Sequence, residues 1–190
     1  VAIGYGALTA LTTGAGNVAV GMEAGLALVE GQKNTVIGHE AFEKAEEGTG
    51  NVAVGYQSLF YSDYDGSGSA VDTYNTSLGY QSGYMLTTGR WNTFIGSRTA
   101  GNSGGSALTG NDNVVVGDYA GFDLSGAASD NTLIGKAAGG NITTDSKVVA
   151  IGHSAYLAML TSDGWDGGGA TDGSGNTAIG YESMTAYIAP

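Results

Sequence analysis

The chain has 190 residues, no cysteine, and a formal net charge of −12 from 18 acidic and 6 basic residues. Without cysteine there is no disulfide framework and no thiolate metal site, and without a basic stripe nucleic-acid binding is not expected. No run of about 18 apolar residues is present, so no membrane insertion is expected. Thirty-five glycines and a single proline are typical of turn-rich β structure.

A glycine that follows an aliphatic residue recurs from one end of the chain to the other. Successive copies are 17, 17, 17, 24, 17, 21, 18, 17 and 28 residues apart. A fixed period of this length is typical of a solenoid, in which one small unit stacks on its own copies. The repeat glycines are Gly4, Gly21, Gly38, Gly55, Gly79, Gly96, Gly117, Gly135, Gly152 and Gly180. We therefore predict an all-β fold, a parallel β-roll or β-solenoid of about ten 17-residue rungs, over residues 1–190 of a longer chain.

Each unit begins with a three-residue strand that ends just before the repeat glycine. The residue before the glycine is always aliphatic and the residue three before it is β-branched, so we expect these two to face the core. The residue between them is also mostly apolar, which indicates a strand covered on both faces. Either a second copy of the chain or a helix or loop of the same chain could provide that cover, and we favour the second copy. The predicted interface residues are Ala19, Val36, Ala53, Phe94, Val115, Leu133, Ala150 and Ala178.

The sequence that follows the repeat glycine predicts a second strand in each rung. A small residue stands three positions after the glycine, followed by apolar stretches such as residues 8–11 and 26–29. An asparagine stands four residues before the glycine in most units, where it would punctuate a turn. Stacked at one rung spacing, such asparagine amides would form a hydrogen-bonded ladder.

Three insertions, within residues 59–74, 100–112 and 156–175, fall at one point of the unit, and such insertions often form a binding edge. Two of them place aromatic side chains beside carboxylates, a combination suited to holding sugars. A local capping role for these aromatics is the alternative. The candidate receptor or glycan contacts are Tyr61, Tyr64, Asp163, Trp165 and Asp166.

The sequence predicts no catalytic site and no cofactor or metal site. It contains neither an HExxH motif nor a P-loop, and its acidic residues are scattered along the repeats. Asp63, Asp65 and Asp72 lack the spacing of a twelve-residue calcium loop, so solvated turns are the preferred interpretation. His39 and His153 follow the repeat glycine where other units have tyrosine, and we interpret them as ordinary occupants of that position.

Units such as Asn51-Val52-Ala53-Val54-Gly55-Tyr56-Gln57-Ser58 resemble the repeats of YadA-like heads of trimeric autotransporter adhesins and of phage tail fibres. The following Tyr-Gln-Ser is closer to the tail fibres. This resemblance implies a homotrimer of left-handed β-rolls with two strands per rung. It also implies a non-enzymatic, extracellular role in a virion tail fibre, in contact with neighbouring fibre segments and with a host cell-surface glycan or protein receptor. The alternatives are a bacterial surface adhesin and, further off, a monomeric solenoid that binds ice or a polysaccharide.

Overall fold

The structure is a computed structural model that describes residues 1–62, 71–101, 106–157, 159–160, 174–185 and 187–188. In these ranges the chain is all-β without a helix and forms a parallel β-solenoid of about eight turns. The strands are β1 (Ala2–Ile3), β2 (Val18–Val20), β3 (Thr35–Ile37), β4 (Gly48–Thr49), β5 (Val52–Val54), β6 (Val71–Asp72), β7 (Thr76–Leu78), β8 (Thr93–Ile95), β9 (Val114–Val116), β10 (Thr132–Ile134), β11 (Val149–Ile151), β12 (Met159–Leu160), β13 (Thr177–Ile179) and β14 (Tyr187–Ile188).

The repeat strands line up as one ten-stranded parallel sheet, in the order β1-β2-β3-β5-β7-β8-β9-β10-β11-β13. Equivalent residues of successive units are always paired, as in Val36 with Ala53. The longer spacing between β5 and β7 leaves this register intact, since Ala53 pairs with Ser77. The remaining strands form two short pairs, β4 with β6 and β12 with β14. Insertions therefore leave the stack of repeat strands in phase.

The repeat glycine is required by its backbone conformation. All ten copies have φ between 125° and 141°, a region that L side chains rarely adopt. A Cβ on Gly38 would also lie 2.5 Å from the carbonyl oxygen of Gly55 in the next unit. The glycine thus ends each strand with a sharp turn packed directly against the equivalent turn.

In most of the described units stacked turns take the place of the predicted second strand, and strand pairing beyond the repeat glycine is limited to β4 with β6, to β12 with β14 and to single bridges at Leu86, Leu108 and Gly126. The second and fourth residues after the repeat glycine have φ near +50° to +71°, as in Glu23 and Leu8, so this stretch cannot be extended. Successive turns still hydrogen-bond to each other, for example from Leu8 N–H to the Ala24 carbonyl at 3.1 Å. The prediction of a two-stranded rung is therefore wrong for most units and holds in reduced form for the rest, while the stacking between units continues through this side.

The faces of the repeat strand are the reverse of the prediction. The middle residues of the strands point into the chain's own core, and those from Ala19 to Ala178 are at most 2 % exposed. They therefore cannot form the contact with a second chain that was assigned to them. This correction covers Ala19, Val36, Ala53, Phe94, Val115, Leu133, Ala150 and Ala178. The residues on either side of them, expected in the core, form the outer face of the sheet.

The core is thin, and large and small residues complement each other across it. Phe94 occupies the space opposite Gly83, where an added Cβ would lie 2.7 Å from the Phe94 ring. Leu133 likewise fills the space beside Gly139, where an added Cβ would lie 2.9 Å from a Leu133 methyl carbon. Interiors are close-packed, so a large residue on the strand requires a glycine on the turn side. The small alanines in the middle of other repeat strands are explained in the same way, by the limited volume of a core within one chain.

The predicted asparagine ladder is present along the buried edge of the solenoid. The backbone N–H and Nδ2 of Asn34 both donate to Oδ1 of Asn17, at 2.9 and 3.1 Å. Asn51 repeats the pattern onto Asn34 at 2.8 and 3.1 Å. At the far end the backbone N–H of Val148 still donates to Oδ1 of Asn131, but Val148 has no amide to pass the ladder on. These bonds satisfy polar groups that burial would otherwise leave costly.

Candidate interaction surface

The outer sheet face is an apolar surface that runs along the stack of repeat strands. It consists of the first and last residues of the repeat strands, which flank the buried middle residue. The last residues of the strands form one row of side chains, here called the aliphatic rank. It includes Ile37, Leu78 and Ile95, which are 40 %, 46 % and 37 % exposed. The whole rank comprises Ile3, Val20, Ile37, Val54, Leu78, Ile95, Val116, Ile134, Ile151 and Ile179. Exposed apolar residues in an unbroken row mark an interaction surface more often than singly scattered ones.

The second rank of the outer sheet face alternates between threonine and valine. Thr35, Thr76, Thr93, Thr132 and Thr177 start five of the strands, and valine starts four others. Most of these side chains are partly exposed. Their hydroxyl groups make the face less apolar than the aliphatic rank alone would indicate.

The size of the outer sheet face follows from the strand spacing. Ten strands about 4.8 Å apart extend about 43 Å, and the two ranks with their side chains are about 10 Å wide. The face therefore covers about 430 Å², within the range of the largest patch on a typical monomer. A standard two-protein interface buries about 800 Å² on each partner. The face would need its neighbouring surfaces to complete an interface of that size.

Of the predicted receptor contacts, Tyr61 lies in the described part of the chain. Its side chain is 40 % exposed, and its ring meets Phe60 and Tyr84 edge-on at centroid distances of 4.8 and 5.2 Å. Burial, followed by the neighbouring Tyr61, raises the pKa of Tyr84. Tyr64, Asp163, Trp165 and Asp166 lie outside the described residues.

Two columns of side chains follow the corner beyond the outer sheet face, at the first and second positions after the repeat glycine. In the first column His39, Tyr56 and Tyr80 lie ring to ring at centroid distances of 5.4 Å. In the second, Gln81 donates to Gln57 at 2.7 Å and Gln57 donates to Glu40 at 2.6 Å. The repeat thus stacks like positions into ladders that cross successive turns.

One point on this corner brings together metal-ligating side chains. Glu23, His39 and Glu40 each offer a ligand atom, and these atoms lie within 4.8 Å of one another. His39 Nε2 lies 3.1 Å from Glu40 Oε1, but it forms no hydrogen bond within the described part of the chain and has less than 1 Å² of accessible surface. Sequence reasoning interpreted His39 as an ordinary occupant. The signal it missed is the 17-residue register, which places residues 23 and 40 one above the other.

None of the described residues belongs to a helix long and apolar enough to cross a membrane. Comparison of the chain with protein-family models, with curated proteins and with solved structures found no match. The function is therefore inferred from the geometry of the outer sheet face and the corner columns.

Proposed function

We propose that the chain is a non-enzymatic segment of a homotrimeric phage tail fibre that supports or presents a host-receptor contact. The observation that carries the proposal is the outer sheet face, a row of exposed and partly exposed aliphatic side chains along the stack of repeat strands. The proposed subunit contact is thus this face, instead of the buried residues assigned from the sequence. A bacterial surface adhesin of the same architecture is the alternative host for such a segment.

The long, narrow outer sheet face could be buried if three copies of the chain met along a common axis. The face is long and narrow, about 43 Å by 10 Å, and by itself is too small for a standard pairwise interface. In a cyclic trimer each chain contacts two neighbours, so the corner columns beside the face would also be covered. Closed symmetric assembly is the usual outcome for soluble oligomers.

The net charge of the chain predicts that its assembly depends on salt concentration. Three chains would carry 3 × −12 = −36. Such repulsion opposes assembly at low ionic strength and is screened at high ionic strength. The aliphatic face therefore has to supply the attraction, and salt should strengthen assembly.

Adjacent residues of β8 provide a matched test, because Phe94 is buried and Ile95 lies on the outer sheet face. Ile95→Lys should give a folded chain with the mass of a monomer, because a lysine is excluded from an apolar contact yet solvated on a free surface. It changes the net charge from −12 to −11, so added repulsion cannot explain a loss of assembly. Phe94→Lys should instead disrupt folding. An Ile95→Lys protein that assembles as the wild type does would refute the proposed interface.

Receptor presentation is tested separately, by binding of the labelled segment to bacterial cells and to a glycan array. We expect Tyr61→Ala or Trp165→Ala to reduce binding without changing the mass of the assembly. Retention of full binding by both variants would remove the receptor role from these two residues and leave the structural role in place.

A single-chain solenoid that binds an ordered surface such as ice or a polysaccharide is a second candidate. The observation in its favour is that five threonines start strands of the outer sheet face instead of lying in the core. Their alternation with valine is less regular than such a surface would favour. Inhibition of ice recrystallisation by wild-type protein, lost in Thr93→Leu, would support this candidate over the fibre.

A further inference from the structure

We propose that Glu23, His39 and Glu40 form a binding site for a divalent transition-metal ion of the zinc type. The site joins two successive turns of the solenoid, since Glu23 and Glu40 occupy the same repeat position and the Glu40 N–H donates to the Met22 carbonyl at 2.9 Å. It lies on the corner beside the outer sheet face, among the corner columns that contain His39 and Glu40.

The two carboxylates are stacked, and among the described residues the only basic group within ion-pair distance of them is the His39 imidazole, 3.1 Å from Glu40 Oε1. Neighbouring strands and turns in a parallel stack are about 4.8 Å apart, and like charges directly opposite each other are destabilising. Among the described residues no lysine or arginine lies within ion-pair distance of Glu23 or Glu40, and Lys44 is paired with Glu43. A bound cation would turn this repulsion into attraction.

His39 adds a nitrogen ligand to the two carboxylates, and its side chain as a whole is 39 % exposed. Its Nε2 atom is almost inaccessible to solvent and has no hydrogen-bond partner among the described residues, although it lies 3.1 Å from Glu40 Oε1. Buried polar atoms are normally satisfied. A metal ion between Nε2 and the carboxylate oxygens would satisfy it, and an imidazole nitrogen favours zinc, nickel or copper over calcium or magnesium.

The distances suit a small ion after a modest adjustment. Zinc binds histidine nitrogen and carboxylate oxygen at about 2.0–2.2 Å, which places two tetrahedral ligand atoms about 3.4 Å apart. The His39–Glu40 pair at 3.1 Å is near that separation, and all three ligand atoms lie within 4.8 Å of one another. A rotation within the Glu23 side chain would close the difference, and water would complete the coordination.

Neighbouring side chains already hold the proposed ligands in place. Gln57 Nε2 donates to Glu40 Oε2 at 2.6 Å, which leaves Oε1 facing His39. The Tyr56 ring lies against the imidazole at 5.4 Å. Outer partners of this kind orient metal ligands.

The experiment is a calorimetric titration of Zn²⁺ into the whole segment, with His39→Asn, Glu23→Gln and Glu40→Gln as variants. The matched control is His153→Asn, since His153 occupies the same repeat position and stacks on Tyr181 but does not belong to the carboxylate cluster. We expect one Zn²⁺ per chain, a loss of at least tenfold in affinity in each site variant, and no change in the control.

A second measurement guards against variants that fail to fold. Zn²⁺ should raise the midpoint of thermal unfolding of the wild type and of His153→Asn, because a ligand that binds only the folded state stabilises it. The proposal is overturned if the wild type neither binds Zn²⁺ nor gains thermal stability. It is equally overturned if folded His39→Asn binds as tightly as the wild type, or if His153→Asn loses binding to the same extent as His39→Asn.

Discussion

Replacing Gly83 by alanine tests the volume complementarity of the core. Gly83 has φ +62°, and an added Cβ would lie 2.7 Å from Phe94 Cδ2 and 2.8 Å from Leu59 Cδ2. Alanine would cost about 1–2 kcal/mol for the left-handed backbone and about 1–3 kcal/mol more for overpacking. Gly16→Ala is the matched control, because Gly16 has φ +77° and its added Cβ would make only an ordinary 3.5 Å contact with Lys33. It should therefore cost the backbone contribution alone.

The double variant isolates the packing contribution. Phe94→Ala alone should cost about 3–5 kcal/mol, as expected for a buried phenylalanine. Combined with Gly83→Ala it should cost about 1–3 kcal/mol less than the sum, because the alanine methyl group enters the space left by the ring. Urea unfolding followed by circular dichroism gives the free energies of unfolding of the wild type, Gly83→Ala, Phe94→Ala and the double variant, and of the control Gly16→Ala. Strict additivity, or a Gly83→Ala protein as stable as Gly16→Ala, would refute this account of the core.

The remaining predictions concern the repeat glycine, the asparagine ladder and the tyrosines. Gly38→Ala should prevent stable folding, seen as loss of the β circular-dichroism signal, because its Cβ would clash with the Gly55 carbonyl; a native-like melting temperature would contradict this. Asn92→Val should cost about 1–3 kcal/mol in urea unfolding, because it orphans buried partners on both neighbouring turns; an unchanged midpoint would show that the ladder is dispensable. Since Tyr84 has a raised pKa, the unfolded chain loses this proton first, and stability should fall as pH rises through about 10 and above. Tyr84→Phe should lessen that fall, and an identical alkaline profile would contradict the assignment.

The sequence period was sufficient to predict the parallel stack, its register and the asparagine ladder. Equivalent positions 17 residues apart must stack when short strands are separated by a constant turn, so the pairing of Val36 with Ala53 follows directly. Insertions did not disturb this inference, because they leave the strand and its glycine unchanged. These features depend on repetition, which a single sequence displays in full.

The orientation of the strand could not be read from hydrophobicity, because both of its faces are apolar. Alanine in the middle position was interpreted as an intersubunit contact, whereas its small size compensates for large residues on the opposite side of the same core. The pairing of Phe94 with Gly83 was the available signal, since a large strand residue coincides with a glycine across the core.

The stacked turns and the proposed metal site were not predicted from the sequence, for different reasons. Residues such as Glu23 and Gln57 adopt positive φ because the stacked turns impose it, and nothing in their residue type indicates this. The cluster around His39 was accessible in principle, because residues 23 and 40 differ by one repeat. It was missed because the position after the glycine accepts many side chains and was therefore interpreted as unspecific.

The mass of the wild-type segment in solution, measured by light scattering from low to molar salt, tests the central proposal most directly. A fibre segment joined through the outer sheet face should have a mass near three times 18.9 kDa, most fully at high salt, where the repulsion between chains is screened. A folded protein of 18.9 kDa at every salt concentration would contradict the trimer and favour a single-chain solenoid with an exposed binding face.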